Sequence, residues 1–410
     1  MTRRRSAART LLAGLPAVAA LLLAPAAVVP SFADDAAVIE VTGQPLGVAA
    51  GADGVVYVSD YNWVGGVSVF QPGEPQASRQ IKVGHFSTSV AVTPDGTLYV
   101  VQTTDAMQTE IGVVAPGAGE VSKTIPLTQG THWLTVAPDG LLYVASPSEG
   151  TVSVVLPGEA RVERVIEAGN YPVEAAVTAD GTVYATNQHA GTVTVVPKGA
   201  AAPSHTIAVG RTSGPHGIAA GPDGTVYVAN VLSNDVAVIE PGGTAVARKI
   251  RVGREPQEVV AAPDGTLYVT NSADNTVSVI PPGADAVAET VPTGDDPGRL
   301  AVRADGSVVV VNRGGRSLTV FDGGLTGPAG TAPAPGAKAA DPGPGAEPGE
   351  VASGGLSAGS LPALPVVAAG AAALLLAGAA ALVALLRRRR KAVREDPAPA
   401  WLFDQTPTGS

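Results

Sequence analysis

The residues of this sequence that are best suited to chemistry stand just before seven recurring Asp-Gly dipeptides. Seven residues before the Asp lie His132 and His216, and one position later lie Glu174, Glu258 and Arg299. Imidazole and carboxylate groups transfer protons and bind metals, and a guanidinium binds anions. This set is therefore chemically suited to binding a ligand or a metal ion. The alternative is that these are ordinary polar loop residues, because no motif links them.

A second candidate set is aromatic, and its members are Tyr61, Trp63, Phe86 and Trp133. Aromatic residues make up only 4% of the chain, so their grouping in neighbouring loops is a compositional bias. Exposed aromatic rings at the rim of a protein stack on sugars or anchor peptides. The alternative is that these rings cover strand edges as packing.

The elements that must position both sets are short strands. The Asp-Gly turns recur at intervals of 42, 44, 41, 43, 41 and 41 residues, from Asp53 to Asp305. In the sixth copy, strand-like runs cover 258–261, 266–270, 276–280 and 288–291. Four antiparallel strands repeated seven times predict an all-β, seven-bladed propeller over residues 36–322, in which the loops that enter the first strands form a ring around the channel mouth. The repeated Asp residues are interpreted as turn formers and not as calcium ligands, because each lacks nearby carboxylates.

The two ends of the repeat region predict how the ring closes. The seventh copy has only three strand-like runs, and the run over 38–43 matches the fourth strand of other copies. The N-terminal strand is therefore expected to complete the last blade. This pairing removes the open edge that the propeller would otherwise expose.

The segments outside the repeats predict an anchored, exported protein. Residues 1–33 have the cationic start, apolar run and small cleavage-site residues of a signal peptide; an uncleaved N-terminal anchor is the alternative. Residues 323–362 are rich in Pro, Gly and Ala and predict an extended stalk. Residues 363–386 are apolar and predict a C-terminal transmembrane helix, followed by a basic cytoplasmic tail over 387–410. The propeller is thus expected outside the cell on a single-pass type I anchor.

Composition restricts the partners. Between residues 34 and 360 the chain carries 16 Lys and Arg against 33 Asp and Glu. Such an acidic body repels phosphate backbones, so no nucleic-acid partner is expected. The chain contains no Cys, which excludes disulfides and Cys-ligated metals.

The repeat resembles the YVTN family of β-propeller repeats, known from prokaryotic surface-layer and other exported proteins. The resemblance rests on Tyr268-Val269-Thr270-Asn271, on the run from Asn275 to Ile280, and on variants that begin at Tyr184 and Tyr227. It covers residues 38–321. It implies a propeller fold but no single function.

The sequence also looks like the streptogramin, or virginiamycin B, lyases, which are seven-bladed propellers that use His and Glu on the face of these loops. Pro215-His216-Gly217-Ile218 fits their Pro-His loop. Gln257 stands where the resemblance implies a second His on the neighbouring blade. No Ser/His/Asp signature, phosphate-binding Gly loop or zinc-ligand spacing is present, so no metal or cofactor is expected.

Taken together, these patterns favour a membrane-anchored extracellular propeller that is not an enzyme. Its expected role is a binding or surface scaffold for a cell-envelope component or a surface protein. The alternative function is a lyase-like enzyme that uses the His and Glu residues before the Asp-Gly turns.

Overall fold

The computed structural model describes residues 36–323, apart from 129, 131–132, 139, 157–158 and 160. These residues belong to the first of two compact units, 1–333 and 334–410, into which the chain divides. The described part contains 28 β-strands and no helix, arranged as seven four-stranded antiparallel sheets. The predicted all-β, seven-bladed propeller is confirmed. The predicted signal peptide, stalk, transmembrane helix and tail lie outside the described residues.

Each sheet forms one blade. The N-terminal strand is β1 (Ala37–Glu40). Blade 1 contains β2 (Pro45–Ala50), β3 (Val56–Asp60), β4 (Val67–Phe70) and β5 (Arg79–Ile81). Blade 2 contains β6 (Val90–Val92), β7 (Leu98–Thr103), β8 (Thr109–Val114) and β9 (Lys123–Pro126). Blade 3 contains β10 (Trp133–Val136), β11 (Leu142–Ser146), β12 (Thr151–Val155) and β13 (Val162–Glu167).

The remaining blades repeat this order. Blade 4 contains β14 (Pro172–Val177), β15 (Val183–Asn187), β16 (Thr192–Val196) and β17 (His205–Ala208). Blade 5 contains β18 (Pro215–Ala220), β19 (Val226–Asn230), β20 (Asp235–Ile239) and β21 (Arg248–Arg251). Blade 6 contains β22 (Pro256–Ala261), β23 (Leu267–Asn271), β24 (Thr276–Ile280) and β25 (Glu289–Pro292). Blade 7 contains β26 (Pro297–Val302), β27 (Ser307–Asn312) and β28 (Ser317–Asp322), with β1 as its outer strand.

The Asp-Gly dipeptides form the turns between the first and second strands. In blade 6 the Asp264 carboxylate accepts the N–H of Thr266 at 2.9 Å, and Gly265 has a φ of +89°. Glycine adopts this left-handed conformation without a steric cost, so Asp-Gly suits the position. The same carboxylate contact occurs at Asp53, Asp95, Asp180, Asp223 and Asp305. The interpretation of these Asp residues as turn formers is confirmed at these six turns.

The Asn at the end of the second strand forms hydrogen bonds to the third strand inside the blade. Asn271 is fully buried, and its Nδ2 donates to Thr276 at 3.1 Å and to Ser278 at 2.9 Å on the next strand. Asn187 and Asn312 make the corresponding pairs of contacts in blades 4 and 7. This residue of the repeated Tyr-Val-x-Asn pattern therefore has a structural role.

The core lies between blades. The described residues form seven apolar clusters, each built from two adjacent blades. The cluster between blades 7 and 1 combines Val309 and Leu318 with Val56 and Phe70, and Ile39 packs against it. Every blade thus buries both faces of its sheet against its neighbours, which makes the ring one cooperative structure.

The predicted closure of the ring is confirmed. Strand β1 pairs antiparallel with β28, and Ile39 lies opposite Leu318. The strand is shorter than the predicted run over 38–43, although the Val41 N–H still donates to Arg316 O at 3.0 Å. In the part of the chain that the structure describes, no helix is long and apolar enough to cross a membrane.

Candidate functional site

Four side chains from four different blades meet at the central axis. Arg299 Nη1 donates to Glu174 Oε1 at 2.8 Å and to Glu258 Oε2. The guanidinium carbon of Arg299 lies 4.2 Å from the centroid of the Trp133 ring. Such stacking places the cation against the electron-rich face of the indole. The residues come from blades 3, 4, 6 and 7, so this group, called the axial cluster below, links blades across the ring.

Hydroxyl groups of the repeat position this cluster. Thr270, in the second strand of blade 6, accepts the N–H of Glu258 at 3.0 Å and donates to Gly298 O at 2.8 Å. One hydroxyl therefore fixes the backbone beside Glu258 and the residue before Arg299. In blade 4, Thr186 accepts the N–H of Glu174 at 3.2 Å in the same way.

Burial controls the electrostatics of the axial cluster. The side chains of Arg299, Glu174 and Glu258 are only 14%, 10% and 6% exposed. Burial raises the pKa of Glu258 to about 8, and the nearby Glu174 adds to this rise while Arg299 opposes it. Burial also raises the pKa of Glu174, again against the effect of Arg299. One guanidinium cannot neutralise two buried carboxylates, so the pair retains a proton near neutral pH.

The axial cluster is not fully satisfied internally. Oε2 of Glu174 and Nη2 of Arg299 are buried and have no hydrogen-bond partner among the described residues. A buried polar atom without a partner has a free-energy cost. These atoms are therefore available to a polar ligand or a water molecule at the axis.

His216 lies next to the axial cluster at the start of blade 5. Its Nδ1 lies 2.8 Å from Gln257 O and acts as the donor, because a carbonyl oxygen can only accept. Thr186 donates to His216 O at 2.8 Å and so fixes its backbone. Burial, and next the charge of Arg299, lowers the pKa of His216 to about 3. The imidazole is therefore neutral, with Nε2 able to accept a proton.

The structure brings together most of the first predicted set. Glu174, Glu258, Arg299 and His216 all lie at the axis, and His132 lies outside the described residues. The described residues contain no group of three or more His, Asp or Glu arranged to hold a metal ion.

The aromatic set is divided between two places. Tyr61 and Phe86 have ring centroids 5.4 Å apart, and Trp63 meets Phe86 edge to face at 5.8 Å. Trp133 does not join them, because it packs against Arg299 at the axis. The four rings, expected in neighbouring loops, therefore do not form one contact group.

A histidine that the sequence reasoning missed, His85, joins Tyr61, Trp63 and Phe86, and these four residues are called the rim cluster below. The ring of His85 stacks on Trp63 with centroids 4.3 Å apart and an interplanar angle of 14°. His85 Nδ1 contacts Trp63 O, and its Nε2 lies 2.8 Å from Asp105 Oδ1. Both partners can accept from an imidazole N–H, and the bond to Asp105, followed by that to Trp63, raises the pKa of His85. The only sequence signal was its position directly before Phe86.

Comparison with known proteins identifies the family. The model of the Virginiamycin B lyase family matches residues 32–318, more than half of the chain. The chain belongs to the Virginiamycin B lyase family. The distant resemblance to these lyases seen in the sequence is therefore confirmed. A search of curated protein sequences finds no match.

Solved structures agree with this family at the level of the fold. The virginiamycin B lyase of Staphylococcus aureus superimposes with a TM-score of 0.59 at 14% identity, over 70% of this chain and 98% of the lyase. A streptogramin B lyase gives a TM-score of 0.60 at 14% identity, over 71% and 99% of the two chains. Hydrazine synthase of Kuenenia stuttgartiensis gives 0.62 at 18% identity, over 70% and 98%. At these identities the likeness shows the propeller alone, because one fold serves many functions.

Proposed function

We propose that this member of the Virginiamycin B lyase family is an extracellular binding module, held at the membrane by residues 363–386. Its ligand is a cell-envelope component or a surface protein. The observation that carries the proposal is that Trp63 is 60% exposed although His85 and Phe86 hold it in place. An ordered, exposed indole loses little conformational entropy when a ligand covers it.

The position of Trp63 also supports binding. It lies in the loop between β3 and β4, where the Phe86 N–H donates to Asn62 O at 2.9 Å. The loop is thereby fastened to the segment that leads into blade 2. Ligands commonly bind at loops that a rigid scaffold holds, and here the scaffold is the inter-blade core.

The test is retention of a cell-envelope fraction by the full-length chain and its Trp63→Ala variant. We expect the variant to retain at least about tenfold less material, which is the usual effect of removing a central aromatic contact. Leu232→Ala is the matched control, because Leu232 occupies the equivalent loop of blade 5 and is 68% exposed. Equal retention by all three proteins would refute this proposal.

A lyase-like enzyme is the second candidate, and the axis favours it through one specific observation. Opening of a cyclic ester by acid–base chemistry needs one group that accepts a proton and another that donates one. Neutral His216 offers Nε2 as the acceptor, although a pKa lowered to about 3 by burial makes it a weak base, and Glu258, whose pKa is raised to about 8 by burial, supplies the acid. In the S. aureus lyase, a variant with one His replaced by Ala is catalytically inactive and was crystallised with quinupristin.

Quinupristin is therefore the substrate to try with this chain. Turnover that is lost in His216→Ala and kept in Trp63→Ala would favour the enzyme. Absence of turnover in the unmodified chain, together with envelope binding that depends on Trp63, would favour the binding module.

A further inference from the structure

A groove of about 530 Å³ lies beside the rim cluster, at the seam between blades 1 and 2. Its volume is within the range of small-molecule binding sites in proteins. The walls come from the loop after β3, the end of β5, the segment before β6, the end of β7 with the loop that follows it, and the start of β8. The residues that the argument uses are Val64, Gln80, Lys82, His85, Asp105 and Glu110.

The charges that line the groove are nearly balanced. Lys82 opposes the carboxylates of Asp105 and Glu110, and His85, whose pKa is raised by its bond to Asp105, adds a second positive charge when it is protonated. The two carboxylates would repel a strongly anionic ligand, and Lys82 and protonated His85 would repel a strongly cationic one. The groove therefore suits a ligand without net charge.

One wall is rigid and the other is free to bind. Gln102 holds the rigid wall, because its Oε1 accepts the Gly84 N–H at 2.8 Å and its Nε2 donates to Glu110 at 2.8 Å. On the other wall, Gln80 and Lys82 are exposed, and their side chains make no hydrogen bond within the described residues. These two side chains offer an amide and an ammonium group to a ligand in the groove.

Trp63 forms a platform at the edge of the groove. It precedes Val64 and stacks on His85, and both of these residues line the groove. His85 covers one face of the indole, and the 60% exposure of the side chain leaves the remainder open. The apolar face of a sugar ring packs on such a surface while its hydroxyl groups reach polar side chains nearby.

We propose that this groove binds a neutral oligosaccharide, with one sugar stacked on Trp63 and its neighbour bonded to Gln80, Lys82 and Asp105. This inference rests on the proposed binding function and names the chemistry of its ligand. A peptide fits less well, because it is held by apolar anchors in pockets. The apolar side chains of this groove offer no such pocket, since Ile81 is 1% exposed, Val83 packs against the core between blades 1 and 2, and Val64 projects into solvent.

The test is titration of the full-length chain by isothermal calorimetry. The probes are four hexasaccharides, built from glucose in β-1,4 linkage, glucose in α-1,4 linkage, mannose, or N-acetylglucosamine. We expect at least one probe to bind, with affinity about tenfold or more weaker in Trp63→Ala. The double variant Gln80→Ala/Lys82→Ala should bind several-fold more weakly with Trp63 intact. Leu232→Ala should bind as the unmodified chain does, and equal unfolding midpoints should show that all variants are folded.

The outcomes separate this inference from the proposed function. If no probe binds, or if the double variant binds as well as the unmodified chain, the groove is not an oligosaccharide site. Envelope retention that still depends on Trp63 would then leave the binding module standing. Envelope proteins or peptides that are lost from the double variant would assign the groove to a protein partner and overturn the inference.

Discussion

Replacing Glu258 by Gln should stabilise the protein at alkaline pH. The side chain is 6% exposed, and a single guanidinium nitrogen of Arg299 serves both Glu258 and Glu174. Gln has the shape of the protonated Glu, and its amide oxygen still accepts from Arg299. The substitution therefore keeps the shape and the hydrogen bond of the protonated carboxyl, and it removes only the need for residue 258 to stay protonated in the folded protein.

The sign and size follow from the pKa of Glu258, which burial raises from 4.5 to about 8. Below pH 4.5 both folded and unfolded chains are protonated at this position, so the variant and the unmodified protein should be equally stable. As the pH rises to about 8, the unfolded chain releases a proton that the folded chain retains, and stability falls. A pKa shift of this size lowers the free energy of unfolding at pH 8 by at most about 5 kcal/mol. Because Glu174 shares the proton, we expect a gain of about 2–4 kcal/mol for the variant at pH 8.

Thermal unfolding of the full-length chain at several pH values between 4.5 and 8.5 measures this effect. The midpoint of Glu258→Gln should exceed that of the unmodified protein by an amount that grows with pH, at about 2–4 °C per kcal/mol. Glu74→Gln is the matched control, since Glu74 is exposed in a loop of blade 1. A variant that is less stable at pH 8 would show that Glu258 is ionised and paired, which would refute the electrostatic argument.

Three further predictions concern the closing strand β1, His216 and His85. Ile39→Ala should lower the free energy of unfolding by about 1–2 kcal/mol in denaturant titrations, because Ile39 packs on the seam between blades 7 and 1. Val38→Ala should have little effect, since Val38 is 53% exposed. Equal losses of unfolding free energy in the two variants would contradict the packing role of Ile39 in strand β1. His216, whose pKa burial lowers to about 3, should show no imidazole titration by NMR between pH 5 and 8, and a midpoint in that range would contradict its burial. His85 should titrate above 6.5, because its bonds to Asp105 and Trp63 raise its pKa, and Asp105→Asn should lower the midpoint. An unchanged midpoint would show that Asp105 does not stabilise the protonated form of His85.

Much of the fold could be predicted because its signals are local. An Asp-Gly turn needs only its own carboxylate, the N–H two residues later and a glycine with positive φ, as at Asp264 and Gly265. Runs of β-branched and aromatic residues mark the second strands, which are buried on both faces, as in β3 and β23, and the period of the turns sets the number of blades. The first strand of blade 6 was placed within two residues of its true start at Pro256, where the register is irregular.

The sequence predicted which residues belong to the candidate site but not which of them contact one another. Topology brings the start of every first strand to the axis, so Glu174, Glu258 and Arg299 were expected near one another. Which of them would pair could not be read from the chain, because Arg299 and Glu174 are 125 residues apart and lie in blades 7 and 4. The shared Nη1 and the resulting retained proton depend on side-chain conformation within a crowded axis.

The sequence by itself determined the seven-fold repeat, the closing strand and the face on which the polar residues gather, since each follows from local periodicity and strand direction. Only the tertiary structure decided that Trp133 packs under Arg299, that His85 supports Trp63, and that a groove opens between blades 1 and 2. The physical reason is that backbone hydrogen bonding repeats with the chain. Contacts between side chains of different blades depend instead on distances that no local pattern encodes.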